Sequence, residues 1–170
     1  MIQWDRKGGA PVDGFSHDGY ITDQHCFSGY RYRRMPSSVN GCGWIAAYNL
    51  LHFLGTGVDF DAVRRGMDAL IRPQIPGPTP MRTMRKYLRR VGAEYTAGKR
   101  KALAAAKTAR AGILRYWEGR EPHFIAFLRL PDGRFRFLNV SGGRGDFALP
   151  MDEFFQKHCR FGYIRVMTVK

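Results

Sequence analysis

The stretch from Asn40 to Leu54 constrains the fold of this chain more than any other part of the sequence. It reads Asn-Gly-Cys-Gly-Trp-Ile-Ala-Ala-Tyr-Asn-Leu-Leu-His-Phe-Leu, and after Gly43 only Asn49 and His52 interrupt the apolar residues. A surface helix has a single apolar stripe, whereas this segment is apolar on nearly all sides. We therefore predict a helix that is buried almost all round and against which the rest of the chain packs.

Cys42 lies at the start of this predicted helix, between two glycines. The first N–H groups of a helix have no internal acceptors and carry a partial positive charge, which favours a thiolate over a thiol. Glycines on either side leave the sulfur unshielded and let a substrate backbone come close. The sequence thus indicates Cys42 as a nucleophile, and a buried, inert cysteine is the alternative.

Composition limits the class of protein. The chain has 170 residues, 44% of them hydrophobic, which is enough for one domain with its own core and too much for a disordered chain. No apolar run approaches the roughly 20 residues of a membrane span. Three cysteines cannot all pair within one chain, and the first residues lack a signal-peptide core, so we predict a cytoplasmic protein.

The residue pattern changes along the chain from helical to strand-like, which predicts an α+β fold. Residues 1–36 have no sustained period and are expected to be largely irregular. Helical spacings dominate residues 37–110, and aromatic and β-branched residues dominate residues 111–170, where an antiparallel sheet is expected. We predict a single domain, 1–170, in which a helical half packs on a sheet half with a ligand cleft between them.

Caps, prolines and glycines predict the individual elements. Asp59 is the expected N-cap of a helix through Leu70, and Thr79 that of a helix with Pro80 at its first position. The Ala- and Lys-rich residues 99–109 are typical of an exposed helix. Four segments have the composition of strands: Gly112 to Trp117, His123 to Leu130, Arg134 to Val140 and Phe161 to Val169. A short helix from Asp152 to His158 and a glycine-rich turn at 142–145 complete the prediction.

A thiol nucleophile needs a base, and the chain has five histidines. His123 is the best candidate, because it opens an apolar strand directly after Pro122, where a strand end can face a cleft. The alternative is a histidine that only caps a sheet edge. The others lie in the irregular N-terminal part, late on the Cys42 helix or late in a short helix: His17, His25, His52 and His158.

A third group must hold the imidazole in the right tautomer. The sequence Leu-Pro-Asp-Gly-Arg at residues 130–134 predicts a hairpin with a three-residue loop. In that register His123 and Asn139 are diagonal neighbours on one face, about 7–8 Å apart. We expect the Asn139 amide to reach one imidazole nitrogen while the other nitrogen turns toward the thiol. The alternative is that Asn139 only satisfies backbone groups at the strand end.

Cys42 at the start of a buried helix, followed by His123 and Asn139 on a β-hairpin, resembles the papain-like cysteine peptidases. The segments Asn-Gly-Cys-Gly-Trp-Ile-Ala-Ala-Tyr-Asn and His-Phe-Ile-Ala-Phe look most like those of compact bacterial peptidases related to the bacteriocin-leader processing family. The resemblance covers residues 38–140. It implies a papain-like fold in which Cys42 attacks a peptide carbonyl, His123 acts as base and then acid, and Asn139 orients His123.

The oxyanion hole departs from that family pattern. Many such enzymes have a glutamine six residues before the cysteine, where this chain has Pro36. Proline has no N–H to donate to a developing oxyanion. Asn40 or a residue of the N-terminal segment is therefore expected to supply the donor.

The net charge of +14 predicts acidic partners. If the arginines at 31–34 and in the helix at 80–90 border the cleft, the peptide or protein substrate should be acidic. A rival hypothesis is a nucleic-acid-binding module that uses the basic helix face and the Lys-Arg-Lys segment at 99–101. The residues of that helix face are Arg82, Arg85, Lys86, Arg89 and Arg90.

Two further alternatives concern the chemistry. His25-Cys26 and His158-Cys159 could ligate zinc only if the fold brought them together, and we predict neither a metal nor a cofactor. A relative that binds peptides without turnover would use the same cleft. Amide or acyl transfer would use the same thiolate.

Overall fold

The computed structural model describes residues 13–73, 75–119, 121–140, 145–160 and 163–170. The helices are α1 (Ser37–Asn40), α2 (Cys42–Phe53), α3 (Phe60–Ala69), α4 (Met81–Leu88), α5 (Lys99–Thr108) and α6 (Met151–His158). Short 3-10 helices cover Gln24–Phe27 and Arg89–Val91. The strands are β1 (Arg31–Tyr32), β2 (Met35–Pro36), β3 (Glu94–Ala97), β4 (Ala111–Glu118), β5 (Glu121–Arg129), β6 (Phe135–Val140), β7 (Gly145–Leu149) and β8 (Arg165–Val169).

Six of these strands form one antiparallel sheet in the order β3-β8-β4-β5-β6-β7. Strands β4 to β7 follow one another as a meander, and β8 returns to lie between β3 and β4. Strands β1 and β2 form a separate hairpin. Helices together with an antiparallel sheet make this an α+β protein, as the sequence predicts.

Helix α2 is central to the fold. Every residue from Cys42 to Leu51 is buried, and the helix packs against β4, β5, β6 and α3. The buried Asn49 amide is satisfied, because it accepts from the Ile21 N–H and donates to the Ile21 carbonyl, both at 2.8 Å. The prediction of a helix buried on all sides is confirmed. Among the described residues, no helix combines the length and apolar character needed to cross a bilayer.

Helices cover both faces of the sheet. Helices α2, α3 and α4 pack on the face that carries Ile113 and Phe124. Helices α5 and α6 pack on the opposite face, with Leu114 and Ile125. Ile113 and Leu114 are consecutive on β4, as are Phe124 and Ile125 on β5. Consecutive strand residues point to opposite faces of a sheet. The chain therefore has two hydrophobic cores with the sheet between them.

Helix α5 differs from the expectation of an exposed helix. Ala102 and Ala106 are fully buried, and the helix packs on β3, β8 and α6. Alanine lets a helix lie close to a sheet, while the lysines of α5 stay exposed. The predicted division into a helical half and a sheet half therefore does not describe the whole fold. Both α5 and β3 come from the predicted helical half, yet one covers the second face of the sheet and the other is a strand of it.

The predicted helix starts were right in one case and displaced in another. Asp59 is the N-cap of α3 and accepts from two N–H groups of the first turn at 3.0 and 3.2 Å. The N-cap of α4 is Pro80, not Thr79. Pro80 has an extended backbone with a ψ of 138°, so the helix begins one residue later than predicted. The Thr79 hydroxyl instead bonds with that of Tyr32 at 3.1 Å.

The hairpin between β5 and β6 has the predicted three-residue loop. The Leu130 N–H donates to the Arg134 carbonyl at 2.8 Å, and Gly133 has a φ of 85°. The sequence reasoning missed β7, which begins at Gly145, the last residue of the predicted glycine-rich turn. The rest of that turn lies outside the described residues.

The N-terminal segment packs over α2 and α3. Phe27 is fully buried, with its ring centroid 5.5 Å from that of Trp44 and 5.8 Å from that of Phe60. Its described part, residues 13–36, is mostly irregular, as predicted, but also contains the β1–β2 hairpin. Because its aromatic side chains join the first core, it holds Gln24 in a fixed position beside the start of α2.

Candidate active site

Cys42 is the first residue of α2 and lines a cavity of about 370 Å³, which we call the thiol cavity. Its side chain is nearly buried, with the residue 6% exposed. Gln24 and His123 line the same cavity. The helix start is tightly packed, because a Cβ on Gly43 would lie 2.0 Å from the Thr79 hydroxyl oxygen. The structure thus brings the predicted thiol and the predicted base together.

His123 is the third residue of β5 and is 8% exposed. Its Nε2 lies 2.6 Å from the main-chain carbonyl oxygen of Asn139. A carbonyl oxygen only accepts, so Nε2 carries a hydrogen and Nδ1 is the nitrogen left for the thiol. The Cys42 side chain lines the same cavity as the ring and is one of the groups that act on its pKa. His123 is therefore held in the tautomer that can take a proton from Cys42.

The surroundings of His123 favour its charged form. Burial lowers the pKa of His123, but the neighbouring Cys42 side chain opposes that effect. The Asn139 carbonyl and the Glu118 carboxylate, 3.9 Å from Nε2, act in the same direction as Cys42. Together they raise the pKa of His123 to about 9. At neutral pH the surroundings therefore favour a protonated His123 ring.

Asn139 contacts His123 through its main chain, not through the side-chain amide that the sequence predicts. It has a φ of 64°, and the pairing of β6 with β7 shifts register between Leu138 and Val140. In this conformation the carbonyl faces the imidazole while the side chain bonds with Gln24. Asparagine tolerates the left-handed region better than most residues. The prediction that the Asn139 amide contacts His123 is therefore wrong. It failed because hairpin register alone does not predict the irregular backbone at Asn139.

Gln24 is the site residue that the sequence reasoning did not identify by number. Its main-chain N–H donates to the Asn139 side-chain oxygen at 3.2 Å, and its own side-chain oxygen accepts from the Asn139 amide at 3.1 Å. Its Nε2 donates to the Ser38 carbonyl at 3.2 Å. That bond leaves the second hydrogen of the amide without an acceptor among the described residues. Gln24 is thus a buried donor lining the thiol cavity.

The signal for Gln24 was weak because this residue lies far upstream of Cys42 instead of six positions before it. The expectation of a donor from the N-terminal segment includes this glutamine. Only the packing of that segment against α2 brings the amide to the thiol. Pro36, at the family position, is the N-cap of α1.

Asn40, the named oxyanion candidate, is turned away from the thiol cavity. Its Nδ2 donates to the Gly77 carbonyl at 3.0 Å, and it is not among the described residues that line the cavity. Its Oδ1 is buried without a partner in the described chain. Asn40 therefore holds the loop after α3 against the start of α2.

The other cysteines differ sharply in their surroundings. Cys159 is fully buried, and burial raises the pKa of its thiol to about 12. Cys26 is exposed, and its neighbour His25 pairs with Asp23 at 3.0 Å. Within the described residues, no group of three or more histidine, cysteine or acidic side chains could hold a metal ion.

The arginines expected to border the cleft lie elsewhere. Glu118 and Glu121 line the thiol cavity, together with His25. The basic residues line two other cavities, Arg31 and Arg34 in one and Arg33, Arg82 and Arg85 in the other. The β1–β2 turn and α4 place these arginines beside Thr79. Thr79 packs against Gly43 and is not among the described residues that line the thiol cavity.

Comparison with protein-family models gave no match, and comparison with curated proteins gave no similar sequence.

Proposed function

We propose that this protein is a cysteine-dependent hydrolase, a papain-like peptidase that cleaves peptide or amide bonds through a thioacyl-enzyme. The observation that carries this proposal is the placement of Cys42 and His123 in one cavity, with the His123 ring held by the Asn139 carbonyl at 2.6 Å. The papain-like fold is supported by the position of the thiol at the start of a buried helix and of the imidazole on a later hairpin.

In the proposed first step, the Cys42 thiolate attacks the carbonyl carbon of the substrate and a carbon–sulfur bond forms. The electron pair of the carbonyl moves to its oxygen. The carbon–nitrogen bond then breaks, and the leaving amine takes the proton of the His123 imidazolium. The products of this step are a free amine, a thioacyl group on Cys42 and a neutral His123.

In the second step, water attacks the thioacyl carbon and gives a proton to Nδ1 of His123. The carbon–sulfur bond breaks, which releases the acid and restores the ion pair. The Asn139 carbonyl accepts from Nε2 throughout, so the ring keeps its orientation. An amine in place of water would give acyl transfer from the same intermediate.

Gln24 takes the role of the missing glutamine. The second hydrogen of its amide and the Cys42 N–H, which has no acceptor inside α2, are the proposed donors to the oxyanion. The Asn139 side chain fixes Gln24 through two hydrogen bonds. Asn139 would thus serve the base with its backbone and the oxyanion donor with its side chain.

The proposal is tested by incubating the wild-type protein and Cys42→Ala with a mixture of random-sequence peptides and identifying products by mass spectrometry. Each product pair should contain one added water. Hydroxylamine should intercept the thioacyl group and convert part of the acid product into a hydroxamate. Equal product formation by Cys42→Ala, or neither product nor adduct with the wild type, would contradict the proposal.

A further inference from the structure

A second cavity, of about 560 Å³, is lined by five arginines and by no acidic residue of the described chain. We call it the arginine cavity. The arginines come from the turn between β1 and β2, from α4 and from two neighbouring strands of the sheet. They are Arg33, Arg82, Arg85, Arg115 and Arg165.

These positive charges have no counter-ion among the described residues. None of the five arginines forms an ion pair with a described carboxylate. Arg115 and Arg165 are directly opposite each other on β4 and β8, a position in which like charges destabilise a sheet. Burial, and then the charge of Arg165, lower the pKa of Arg115. An anion in this cavity would relieve the repulsion.

Arg33 is an independent indication of a ligand. It is 7% exposed, and its Nε is buried without a hydrogen-bond partner in the described chain. Its φ of 50°, followed by 63° at Arg34, is strained for arginine. The strain persists because the Arg33 N–H donates to Asp68 at 2.9 Å and Nη1 donates to the Pro78 carbonyl. A fixed, buried guanidinium with an unused donor is suited to an oxyanion.

Helix α4 adds to the positive potential. Its N-cap Pro80 and its first residues, Met81 and Arg82, line the arginine cavity. The N–H groups of Met81 and Arg82 have no acceptor inside the helix and carry part of the positive end of its dipole. The cavity therefore combines guanidinium groups with a helix start.

The arginine cavity is close to the thiol. Gly43 packs against Thr79, which lines the arginine cavity. Gly43 follows Cys42 directly on α2, so the residue next to the thiol packs against the wall of the arginine cavity. An extended peptide advances about 3.3 Å per residue. A few residues can therefore connect a bond held at Cys42 with a side chain in the arginine cavity.

We propose that the arginine cavity binds the carboxylates of an acidic peptide segment and is a subsite for the substrate cleaved at Cys42. This inference rests on the proposed function, because it takes a peptide as the substrate. Guanidinium groups match carboxylates in a bidentate geometry. Arg115 is held in the β4–β8 ladder and the Arg33 backbone is held by Asp68, so both residues are preorganised for such contacts.

Single-stranded nucleic acid fits the cavity less well. Binding of bases relies on aromatic rings with an open face. Tyr95 is the aromatic residue among the described lining, and the Arg85 guanidinium already lies over its ring, 4.5 Å from the centroid. One face of the Tyr95 ring is therefore covered and cannot stack on a base. The guanidinium groups, by contrast, have no carboxylate in the described lining and can bind an anion.

Binding is measured with Cys42→Ala, so that turnover does not interfere. The probes are fluorescein-labelled hexaglutamate, hexaglutamine of the same length and a labelled thymidine hexanucleotide, followed by fluorescence anisotropy at low and moderate salt. Hexaglutamate should bind more tightly than either of the other probes. Tighter binding of the hexanucleotide, with the same arginines required, would overturn the proposal in favour of nucleic acid.

A pair of charge-matched variants separates the cavity from general attraction by a basic protein. Arg115→Gln with Arg165→Gln should weaken hexaglutamate binding about tenfold or more, since it removes two charge-assisted contacts. Lys86→Gln with Arg89→Gln removes the same charge from exposed residues outside the cavity lining and should leave binding nearly unchanged. Equal weakening by both pairs would overturn the proposal.

Arg82→Gln is the second variant if the strand pair does not fold, because Arg82 is exposed on α4. It should weaken hexaglutamate binding severalfold, and an unchanged affinity would count against the subsite.

The two proposals fail in different ways. Arginine-dependent binding without turnover by the wild type would contradict the hydrolase alone. The subsite alone would be contradicted if acidic and neutral peptides were turned over with the same KM, both by the wild type and by the double variant Arg115→Gln with Arg165→Gln.

Discussion

The thiol cavity and the arginine cavity lie near each other in one strongly basic chain, yet their charges are arranged in opposite ways. In the thiol cavity, His123 is paired with Cys42 and lies 3.9 Å from the Glu118 carboxylate. In the arginine cavity, five guanidinium groups have no described carboxylate among them. A site that carries its own counter-charges is suited to chemistry, whereas a site that lacks them is suited to binding an anion.

The backbone shows the same contrast. Both sites contain non-glycine residues in the left-handed region, Asn139 at a φ of 64° and Arg33 at 50°. Asparagine is well tolerated there, and its conformation directs a carbonyl to His123. Arginine is poorly tolerated there, so the Arg33 turn stores more strain. The net charge of the chain predicts neither arrangement, because it does not say where the charges meet.

The largest expected effect that separates the two cavities is that of His123→Ala. Loss of the acid–base group should reduce peptide turnover by roughly 10²–10⁴-fold. Hexaglutamate binding at the arginine cavity should not change, because His123 is not among the described residues that line it. Steady-state kinetics and anisotropy on the same preparation test this, and a parallel loss of both would mean that the two cavities are one site.

Gln24→Ala should lower turnover by roughly 10²–10³-fold, the usual effect of removing one oxyanion donor. Alkylation of Cys42 by iodoacetamide forms no oxyanion, so its rate should stay close to that of the wild type. Gln24→Glu has the same shape but cannot donate, and it should be no more active than Gln24→Ala. Full activity of Gln24→Glu would exclude the donor role.

Two substitutions of Asn139 separate its backbone from its side chain. Asn139→Gly keeps the left-handed backbone and the carbonyl that holds His123, but it releases Gln24. Asn139→Ala releases Gln24 as well and should also lower the free energy of unfolding by roughly 1–2 kcal/mol relative to Asn139→Gly, because alanine is strained at positive φ.

Turnover should therefore fall in both Asn139 variants, while iodoacetamide labelling of Cys42 should persist in Asn139→Gly. Chemical denaturation and timed labelling are the two measurements. If labelling collapsed equally in both variants, the side-chain amide would be the group that orients His123.

The pKa of His123, about 9, predicts the alkaline limit of turnover. The imidazolium proton needed by the leaving amine is present at neutral pH and is lost as pH rises through about 9. The folded-state value lies above the ordinary value of about 6.5. The paired ring therefore stabilises the fold fully below pH 6.5 and loses that contribution as pH rises through about 9.

Glu118→Gln should move the alkaline limit of turnover to lower pH by roughly half a unit, because it removes a partly exposed negative charge near the ring. Glu121→Gln is the matched control, since Glu121 lines the same cavity but is exposed. A pH profile of kcat/KM for the three proteins provides the comparison. Identical shifts in both variants would mean that general electrostatics, and not the contact at 3.9 Å, controls His123.

The smallest expected effect is on stability at the arginine cavity. Without an anion, Arg165→Gln should raise the free energy of unfolding by roughly 0.2–1 kcal/mol, because it removes a like charge opposite Arg115. Glutamate peptides should then stabilise the wild type more than the variant in thermal unfolding. A destabilised Arg165→Gln would mean that the contact of the guanidinium with the Tyr163 ring, 4.7 Å from the centroid, outweighs the repulsion.

The features that the sequence predicted correctly depend on local rules. The apolar run after Gly43 requires a buried helix, and Pro-Asp-Gly requires a three-residue hairpin loop, so α2 and the β5–β6 register followed directly. These two elements carry Cys42 and His123. That the two residues share a cavity was expected from the need of a thiol for a base and from the resemblance to papain-like peptidases, not from local patterns.

The features that were missed depend on packing between distant segments. Gln24 reaches the thiol cavity because its segment packs over α2, and Asn139 uses its carbonyl because β6 changes register there. The arginine cavity joins side chains from separate elements. The sequence patterns therefore singled out Arg33, Arg82 and Arg85, but neither of the strand arginines. Helix α5 was predicted at the right residues, but its burial was missed because alanines pack against a sheet as readily as they occur on exposed helices.

The most direct test of the central claim is a short pulse of iodoacetamide on the folded protein, followed by peptide mapping of the three cysteines. Accessibility alone predicts that Cys26, which is exposed, is labelled before Cys42, which is 6% exposed. A thiolate paired with His123 predicts the reverse order, with Cys159 unlabelled and with slower labelling of Cys42 in His123→Ala. Labelling of Cys26 first, with no effect of His123→Ala on Cys42, would contradict the account.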